Sequence, residues 1–283
     1  MLNCFKIYLK RLLQNRNEMF AMRKYFTDFK RVVIKIGTTT LTYPNGSLNL
    51  KTLDRLAWVL TDLRNSGKDI ILVSSGAITV GATRLGLSER PRDIKGKQAA
   101  SAVGQAILMQ IYEQFFMQYN QKVAQILLTK DVLENETKKE NARNTFNTLL
   151  EMGVIPIVNE NDTISTDELG FSENDSLSAY VALLIDSDLL ILLSDVEGLY
   201  DDGDPKINVG AKLISVVKNI DDDIVRSAGG AGSAAGTGGM ATKISAARLA
   251  VENGINTVIA SGADPQILFG IIAGEDVGTH FVS

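Results

Sequence analysis

Two hydrophobic patterns alternate along the chain. Short, continuous apolar runs rich in β-branched residues occur at 32–36 (VVIKI), 69–73 (DIILV), 123–128 (VAQILL), 154–158 (VIPIV), 188–193 (DLLILL) and 256–260 (NTVIA). Between them, apolar residues recur every three to four positions at about 50–66, 76–86, 97–119, 141–152, 174–186 and 240–253. The short runs suit strands buried on both faces, and the longer segments suit helices packed on one side. Parallel strands need long, right-handed crossovers, which helices of this length supply. The pattern predicts an α/β protein: a three-layer α/β/α sandwich with an open, mainly parallel sheet.

The polar positions cluster where the strands end. Just past the runs stand Gly37-Thr38-Thr39-Thr40, Ser74-Ser75-Gly76-Ala77, Asn159-Glu160-Asn161-Asp162 and Ser194-Asp195. Ligands of open α/β sheets bind beyond the carboxyl ends of the strands, so these small, polar and acidic residues predict one polar crevice.

Composition narrows the chemistry of that crevice. With 283 residues, 45% of them hydrophobic, the chain can build a full core. It contains no apolar run near the ~20 residues of a membrane helix. A single cysteine, Cys4, excludes an internal disulfide framework and a cysteine zinc site, and suits a reducing, cytoplasmic setting. The single histidine, His280, lies three residues from the end, which leaves no Ser-His-Asp triad and no histidine metal site. The expected tools are carboxylates, lysines, amides and backbone dipoles, with an oxygen-bound metal such as Mg²⁺.

Charge is uneven. Residues 1–31 hold eight Lys/Arg against Glu18 and Asp28, although the whole chain carries a net charge of −4. A basic amphipathic opening suits a transit peptide or a membrane-surface helix, but this one lacks serine, and Met19 and Met22 offer alternative starts. Residues 1–29 read as a leader outside the core, disordered or a misassigned start. The acidic remainder argues against nucleic acid as a partner.

Individual motifs add roles. Lys35 sits among apolar residues of the first run, where an ammonium is costly to bury unless it meets an anion; the bland alternative is snorkelling at a strand end. Ser75 and Gly76 allow close backbone approach before a helix N-terminus that favours an anion. Glu-Asn-Asp occurs twice, at 160–162 and 173–175. Such a density of amides and carboxylates suits a ligand bearing both ammonium and carboxylate, with Asn159, Asp162, Glu173 and Asn174 as contacts. FSENDS also reads as a capped helix start. Asp201, Asp202 and Asp204 read as a solvated acidic loop.

The stretch 236–243, GTGGMATK, runs straight into a predicted helix. It fails the Walker A rule, because Lys243 follows Thr242 and not a glycine. It matches the dinucleotide fingerprint at Gly236, Gly238 and Ala241, but no strand precedes it and the next acid near a strand end, Asp264, is too far away. What remains is a mobile loop at a helix N-terminus with a lysine in the first turn. A cation there is unfavourable unless an anion joins it. Lys243 is therefore a candidate phosphate ligand, placed opposite Lys35.

Taken in order, VVIKIGTTTLT, ILVSSGAITVG, KQAASAVGQ, AQILLT, NARNTFNTLL, VIPIVNENDT, ENDSLSA, LLSDVEGLY and GTGGMATKISAA resemble the glutamate 5-kinases of the amino-acid kinase superfamily, from about Lys30 to Ala260. The resemblance implies one kinase domain over 30–283, with a substrate part at about 30–185 and a nucleotide part at about 186–283. It implies Mg²⁺-dependent transfer from ATP to L-glutamate, giving L-glutamyl 5-phosphate and opening proline biosynthesis. Position by position, Lys35 and Lys243 match the lysines that neutralise the phosphoryl group, and Asp175 matches the carboxylate that holds them. Ser75, Gly76, Asn159, Asp162, Glu173 and Asn174 match the glutamate site. Lys35, Ser194, Asp195, Gly236, Thr237, Gly238, Gly239, Met240 and Lys243 match the nucleotide side, with the glycine loop as a lid over the ATP phosphates.

Glu173 stands where the family usually has Asp, one methylene longer. Many bacterial members carry a C-terminal RNA-modification-type (PUA) domain, and this sequence reads as the short form. The resemblance further implies a homo-oligomer, dimer or tetramer, and proline as a feedback inhibitor. Acetylglutamate, aspartate, carbamate and uridylate kinases share the loop logic, but NENDT with ENDSLSA and KQAASAVGQ favour glutamate 5-kinase. A non-catalytic nucleotide sensor does not need both lysines and Asp175, and an NAD oxidoreductase rests on GTGGMA alone.

Overall fold

The computed structural model describes residues 28–165, 173–203, 208, 210–222, 224–225 and 239–283. Most of the basic leader, Asp204, and Gly236, Thr237 and Gly238 of the glycine loop lie outside the described residues. The first half contains β1 (Arg31–Ile36), α1 (Thr38–Leu41), α2 (Leu50–Asn65), β2 (Asp69–Val73), α3 (Ala77–Arg84), α4 (Ile94–Gln118), β3 (Val123–Leu128), α5 (Asp131–Glu134), α6 (Glu136–Glu151) and β4 (Ile155–Glu160). The second contains α7 (Asn174–Leu184), β5 (Leu189–Ser194), β6 (Val216–Val217), α8 (Met240–Glu252), β7 (Asn256–Ser261), α9 (Ile267–Ile272) and β8 (Thr279–Phe281).

The strands form one sheet in the order β3-β4-β2-β1-β5-β7-β8-β6. All neighbouring pairs are parallel except β7 with β8. From β1 the chain moves first to β2 and that side of the sheet, then returns to β5 on the other side. The reversal leaves a crevice between the ends of β1 and β5, the place where such sheets bind ligands. Lys35 lies there, in register with Val73 of β2 and Leu192 of β5.

Strand alternation decides which helix layer each residue meets. Val32, Ile34 and Ile36 pack with α2, α4 and α9, whereas Val33 packs with α6, α7 and α8. Lys35 shares the parity of Val33 and faces α7 and α8. Ser74 shares the parity of Ile70 and Leu72, and Asn159 that of Ile155 and Ile157, so both face α4.

Local chemistry sets several helix starts. Asn49, Asp93 and Asn135 accept from the backbone N–H three residues on, at 3.2, 2.9 and 3.0 Å, and so cap α2, α4 and α6. The caps explain why α4 begins at Ile94 and α6 at Glu136, three and five residues before their periodic patterns. β4 extends to Glu160 because Asn159 and Glu160 still pair with Leu127 and Leu128 of β3. Helix α9 and strands β6 and β8 were not expected, since six, two and three residues are too few to establish a period.

One sequence expectation is corrected and another sharpened. FSENDS does not cap α7 through a side chain: Glu173 is the N-cap with extended backbone, and no side-chain hydrogen bond closes it. Its Asn and Asp are used elsewhere, as described below. Of the acids after β5, Asp201 and Asp202 are exposed as expected, but they also serve as acceptors. Asp201 Oδ1 accepts from Lys212 N at 2.7 Å while Asp201 N donates to Lys212 O, and Asp202 accepts from the Asn208 amide, which ties this loop together.

Candidate active site

Three charges meet at the end of β1. Lys35 Nζ lies 2.6 Å from Asp175 Oδ1, and Lys243 Nζ lies 3.2 Å from Asp175 Oδ2. Asp175 belongs to the first turn of α7 and is 0% exposed; Lys243 belongs to the first turn of α8 and is 4% exposed. Thr242 adds a hydrogen bond, donating to Asp175 Oδ2 at 2.9 Å. One carboxylate thus holds two ammonium groups, leaving a net positive charge against the polar crevice. Gly37 adds no side chain beside them: a Cβ there would stand 3.8 Å from Lys35 Nζ, in ordinary contact.

The electrostatics are strongly perturbed. Burial pushes the Lys35 ammonium below the ordinary lysine value and the Lys243 charge adds to this, while Asp175 and the more distant Glu173 oppose it. Burial alone would push the Asp175 carboxyl up. The two lysine charges and the hydrogen bonds from Lys35 and Thr242 overcome it, so the carboxyl lies below its ordinary value. Perturbation of this kind, by burial plus specific partners inside a crevice, is a mark of a functional site.

The position of Lys243 differs from the sequence expectation. It is not across a cleft from Lys35 on an exposed lid, but buried beside it on the same carboxylate. The anion that makes a lysine tolerable at a helix N-terminus is Asp175 itself.

Next to the charges lies a cluster of amides. Asn174 Nδ2 is within hydrogen-bond distance of Ser74 O (2.8 Å), Ser75 Oγ (3.0 Å) and Asn159 Oδ1 (2.9 Å), and so joins α7 to the ends of β2 and β4. Gly76, which follows, has φ +104°, a left-handed turn that lets the chain leave β2 and enter α3 with only Ser74, Ser75 and Gly76 between them. Asp162 Oδ2 accepts from Ser101 Oγ of α4 at 2.8 Å. Burial pushes the Asp162 carboxyl up, against the Ser101 hydrogen bond and the charges of Arg90 and Lys97.

On the other side, Ser194 ends β5, and its carbonyl accepts from Gly262 N at 2.7 Å. Its Oγ donates to the exposed Asp195 at 3.2 Å. Gly239 is the N-cap of α8 and Met240 its first residue. His280 lies buried in β8 with Nε2 3.2 Å from Asn256 Oδ1, within the strand layer.

Sequence reasoning left α4 without a role. Ser101, Gln105 and Tyr112 lie on one stripe of this helix and reach the ends of two strands, β4 and β2. Ser101 meets Asp162, Gln105 Oε1 accepts from Asn159 Nδ2 at 2.8 Å, and Tyr112 Oη lies 2.8 Å from Ser74 Oγ. Two of them stand in KQAASAVGQ, and the spacings of four and seven residues put all three on one face. That spacing was the available signal. Thr242, beside Lys243, was also missed.

Among the described residues no group of three or more His, Cys, Asp or Glu is arranged to hold a metal. The one carboxylate beside the lysines is taken up by them, so this donor set suits a divalent ion that arrives on phosphate oxygens with its waters rather than one caged by protein.

The model of the amino acid kinase family matches residues 30–261. Glutamate 5-kinase of Clostridium perfringens (strain 13 / Type A) is 54% identical over 266 residues, covering 93% of this chain and 98% of that protein. The glutamate 5-kinases of Clostridium tetani and Enterococcus faecalis are 51% and 49% identical, covering 93% and 92% of this chain and 98% and 97% of their own lengths. Among solved structures, a UMP kinase from Bacillus anthracis superposes with a TM-score of 0.61 at 20% identity, covering 90% of this chain and 96% of that one. An isopentenyl phosphate kinase gives 0.62 at 16%, covering 89% and 100%. Those two likenesses establish the fold, and the sequence matches go further: the chain belongs to the amino acid kinase family and, within it, to the glutamate 5-kinases.

Proposed function

We propose that the protein transfers the γ-phosphoryl group of ATP to the γ-carboxylate of L-glutamate, giving L-glutamyl 5-phosphate and ADP at the opening of proline biosynthesis. A carboxylate oxygen forms the new bond to phosphorus, and the bond from that phosphorus to the β–γ bridging oxygen breaks, its electron pair leaving on ADP. The observation that carries this reading is the pair of buried lysines on one buried carboxylate, set beside a pocket of amides at the sheet's crevice.

The chemistry asks little else of the protein. Phosphoryl transfer passes through a loose transition state, so catalysis is positioning and neutralisation of charge. A glutamate γ-carboxylate, with an ordinary pKa near 4.3, is already ionised at pH 7 and needs no base. The absence of a histidine from this reading is therefore no obstacle. In it, Lys35 and Lys243 meet the phosphoryl oxygens in transit, and Asp175 holds both ammonium groups in place. Ser75, Gly76, Asn159, Asp162, Glu173 and Asn174 bind glutamate. Ser194, Asp195, Gly239, Met240 and the preceding Gly236–Gly238 segment bind the nucleotide. Mg²⁺ carried on the phosphates would offset the repulsion between two anionic substrates. Homo-oligomeric assembly, inhibition by proline and a cytoplasmic setting are part of the same proposal and rest on the family resemblance alone.

The reading is tested by incubating the protein with ATP, Mg²⁺, L-glutamate and hydroxylamine. Trapped γ-glutamyl hydroxamate is the expected product; a product with N-acetylglutamate or aspartate but not with glutamate overturns the substrate assignment.

Asp162 adds a pH prediction. If its carboxylate meets the substrate ammonium, protonation weakens binding. Because its pKa lies above the ordinary aspartate value near 3.9, KM for glutamate should begin to rise at a higher pH than an unperturbed aspartate would give. Asp162→Asn should raise KM at neutral pH and abolish that acid rise. Its ionised form is also the costly one in the folded state. The variant should therefore be the more stable protein at pH 7, with the difference closing as the pH falls through the raised pKa and gone below the ordinary value. An unchanged acid limb in Asp162→Asn sinks the assignment.

A further inference from the structure

Asn159 and Asn174 form a chain of amides whose direction is fixed by backbone groups. Ser74 O is a carbonyl and only accepts, so the Asn174 atom 2.8 Å from it is Nδ2. Glu160 N only donates, so the Asn159 atom 2.9 Å from it is Oδ1. The link between the two side chains, Asn174 Nδ2 to Asn159 Oδ1 at 2.9 Å, satisfies both requirements at once. It leaves Asn159 Nδ2 pointing at a buried neighbour, where it must donate. That neighbour is Gln105, whose Oε1 lies 2.8 Å away. Both residues are buried, with Asn159 3% exposed, so water is a poor substitute for the acceptor.

We propose that Gln105 is a positioning residue for the amino-acid substrate. By accepting from Asn159 Nδ2 it holds Asn159, and together with Ser74 O it keeps Asn174, in the orientation that leaves Asn174 Oδ1 without a donor among the described residues. The substrate then meets an acceptor, suited to its α-ammonium, rather than an NH₂ group. Loss of the Gln105 acceptor removes this constraint. Asn159 can find a new partner for Nδ2 only by turning its amide over, which sets Nδ2 against Glu160 N and Asn174 Nδ2, donor against donor. The identity of the substrate rests on the glutamate reading above; the direction of the amide chain does not.

The test compares Gln105→Met, which keeps the volume and loses the acceptor, with Gln105→Glu, which keeps an acceptor in either protonation state. Gln105→Met should raise KM for glutamate about tenfold or more, from one unsatisfied buried donor, with KM for ATP unchanged. Gln105→Glu should restore KM for glutamate to within about threefold of the parent. Equal impairment in both variants, or a parallel rise in KM for ATP, overturns the assignment. A second readout needs no turnover: in ¹⁵N spectra of the ligand-free protein, the Asn159 side-chain amide protons should be protected from exchange in the parent and in Gln105→Glu, and lose protection in Gln105→Met. Protection retained in Gln105→Met overturns the proposal even if the parent makes no hydroxamate, an outcome that would separately sink the glutamate reading.

Discussion

Replacing Asp175 by Asn should lower kcat by at least ~10²–10³, the effect of removing one preorganised charge contact from a transition state. Asparagine keeps the shape and one acceptor oxygen but removes the anion that both lysines share. Lys35 and Lys243 would then stand as two ammonium groups at a residue that is 0% exposed, without the counter-charge that joins them. Breaking a buried pair in this way costs ~3–5 kcal/mol, much of it from the charges left behind. The protein can relieve that cost by giving up a proton. Lys35 is the group to lose it, because burial already holds its pKa down and Asp175 is the main influence raising it. The variant should therefore fail in a pH-dependent manner, its residual kcat rising as the pH is lowered from alkaline toward neutral, while the parent's alkaline limb lies higher. Lys243→Ala should cost a similar factor without that shift, since it removes a like charge from Lys35 instead of an opposite one. The double variant should be no worse than the worse single, as expected of groups that act as a unit. Turnover of Asp175→Asn within about tenfold of the parent, below the range for such a contact, would refute the shared-carboxylate role.

The fold was largely legible because parallel strands buried on both faces leave unbroken apolar runs, and β1, β2 and β5 lie almost where those runs lie. The parity of Lys35 was legible too, since an apolar strand that carries one lysine must aim it at an anion or at water. The partner could not be read from local pattern, where Asp175 looks like a residue of a capped helix start; only the family resemblance assigned it to both lysines, because the meeting joins three segments separated by long stretches of chain. The same holds for Asn174, whose amide reaches back to Ser74 and Ser75. Helix α4 was the largest omission. Its period announces a helix, and the spacing of Ser101, Gln105 and Tyr112 announces a stripe. Only the sheet order reveals that this stripe lies over the ends of β2 and β4 and not against plain core. GTGGMATK misled for a related reason: glycines suggested a mobile carrier for Lys243, whereas the lysine is already seated on Asp175 inside the first turn of α8.

Gly104→Ala should be the most damaging change outside the charged centre. In an open helix this substitution gains ~1 kcal/mol, because alanine is the better helix former. Here a Cβ on Gly104 would stand 1.8 Å from Ala77 O and 2.5 Å from Gly81 N, while one on Gly81 would stand 1.7 Å from Ala100 O. Helices α3 and α4 therefore touch backbone to backbone at a pair of glycines, and no side chain is available to yield. Overpacking a tight contact costs ~1–3 kcal/mol or more. A net loss near the top of that range would lower Tm by roughly 6–12 °C for a chain of this size. The consequences should not stop at stability. Ala77 opens α3 directly after Ser75 and Gly76, and α4 carries Ser101 and Gln105 on either side of Gly104. Pushing the helices apart moves the turn that Asn174 grips away from the stripe that holds Asn159 and Asp162. KM for glutamate should rise in the folded fraction while KM for ATP stays near the parent value, because Lys35, Lys243 and Asp175 are held by β1, α7 and α8. A thermal shift experiment with glutamate and with nucleotide separates the two effects: stabilisation by glutamate should fade and stabilisation by ATP should persist. A Gly104→Ala variant as stable as the parent would mean that the two helices do not approach this closely, and the view of α4 as the support of the glutamate loops would fall with it.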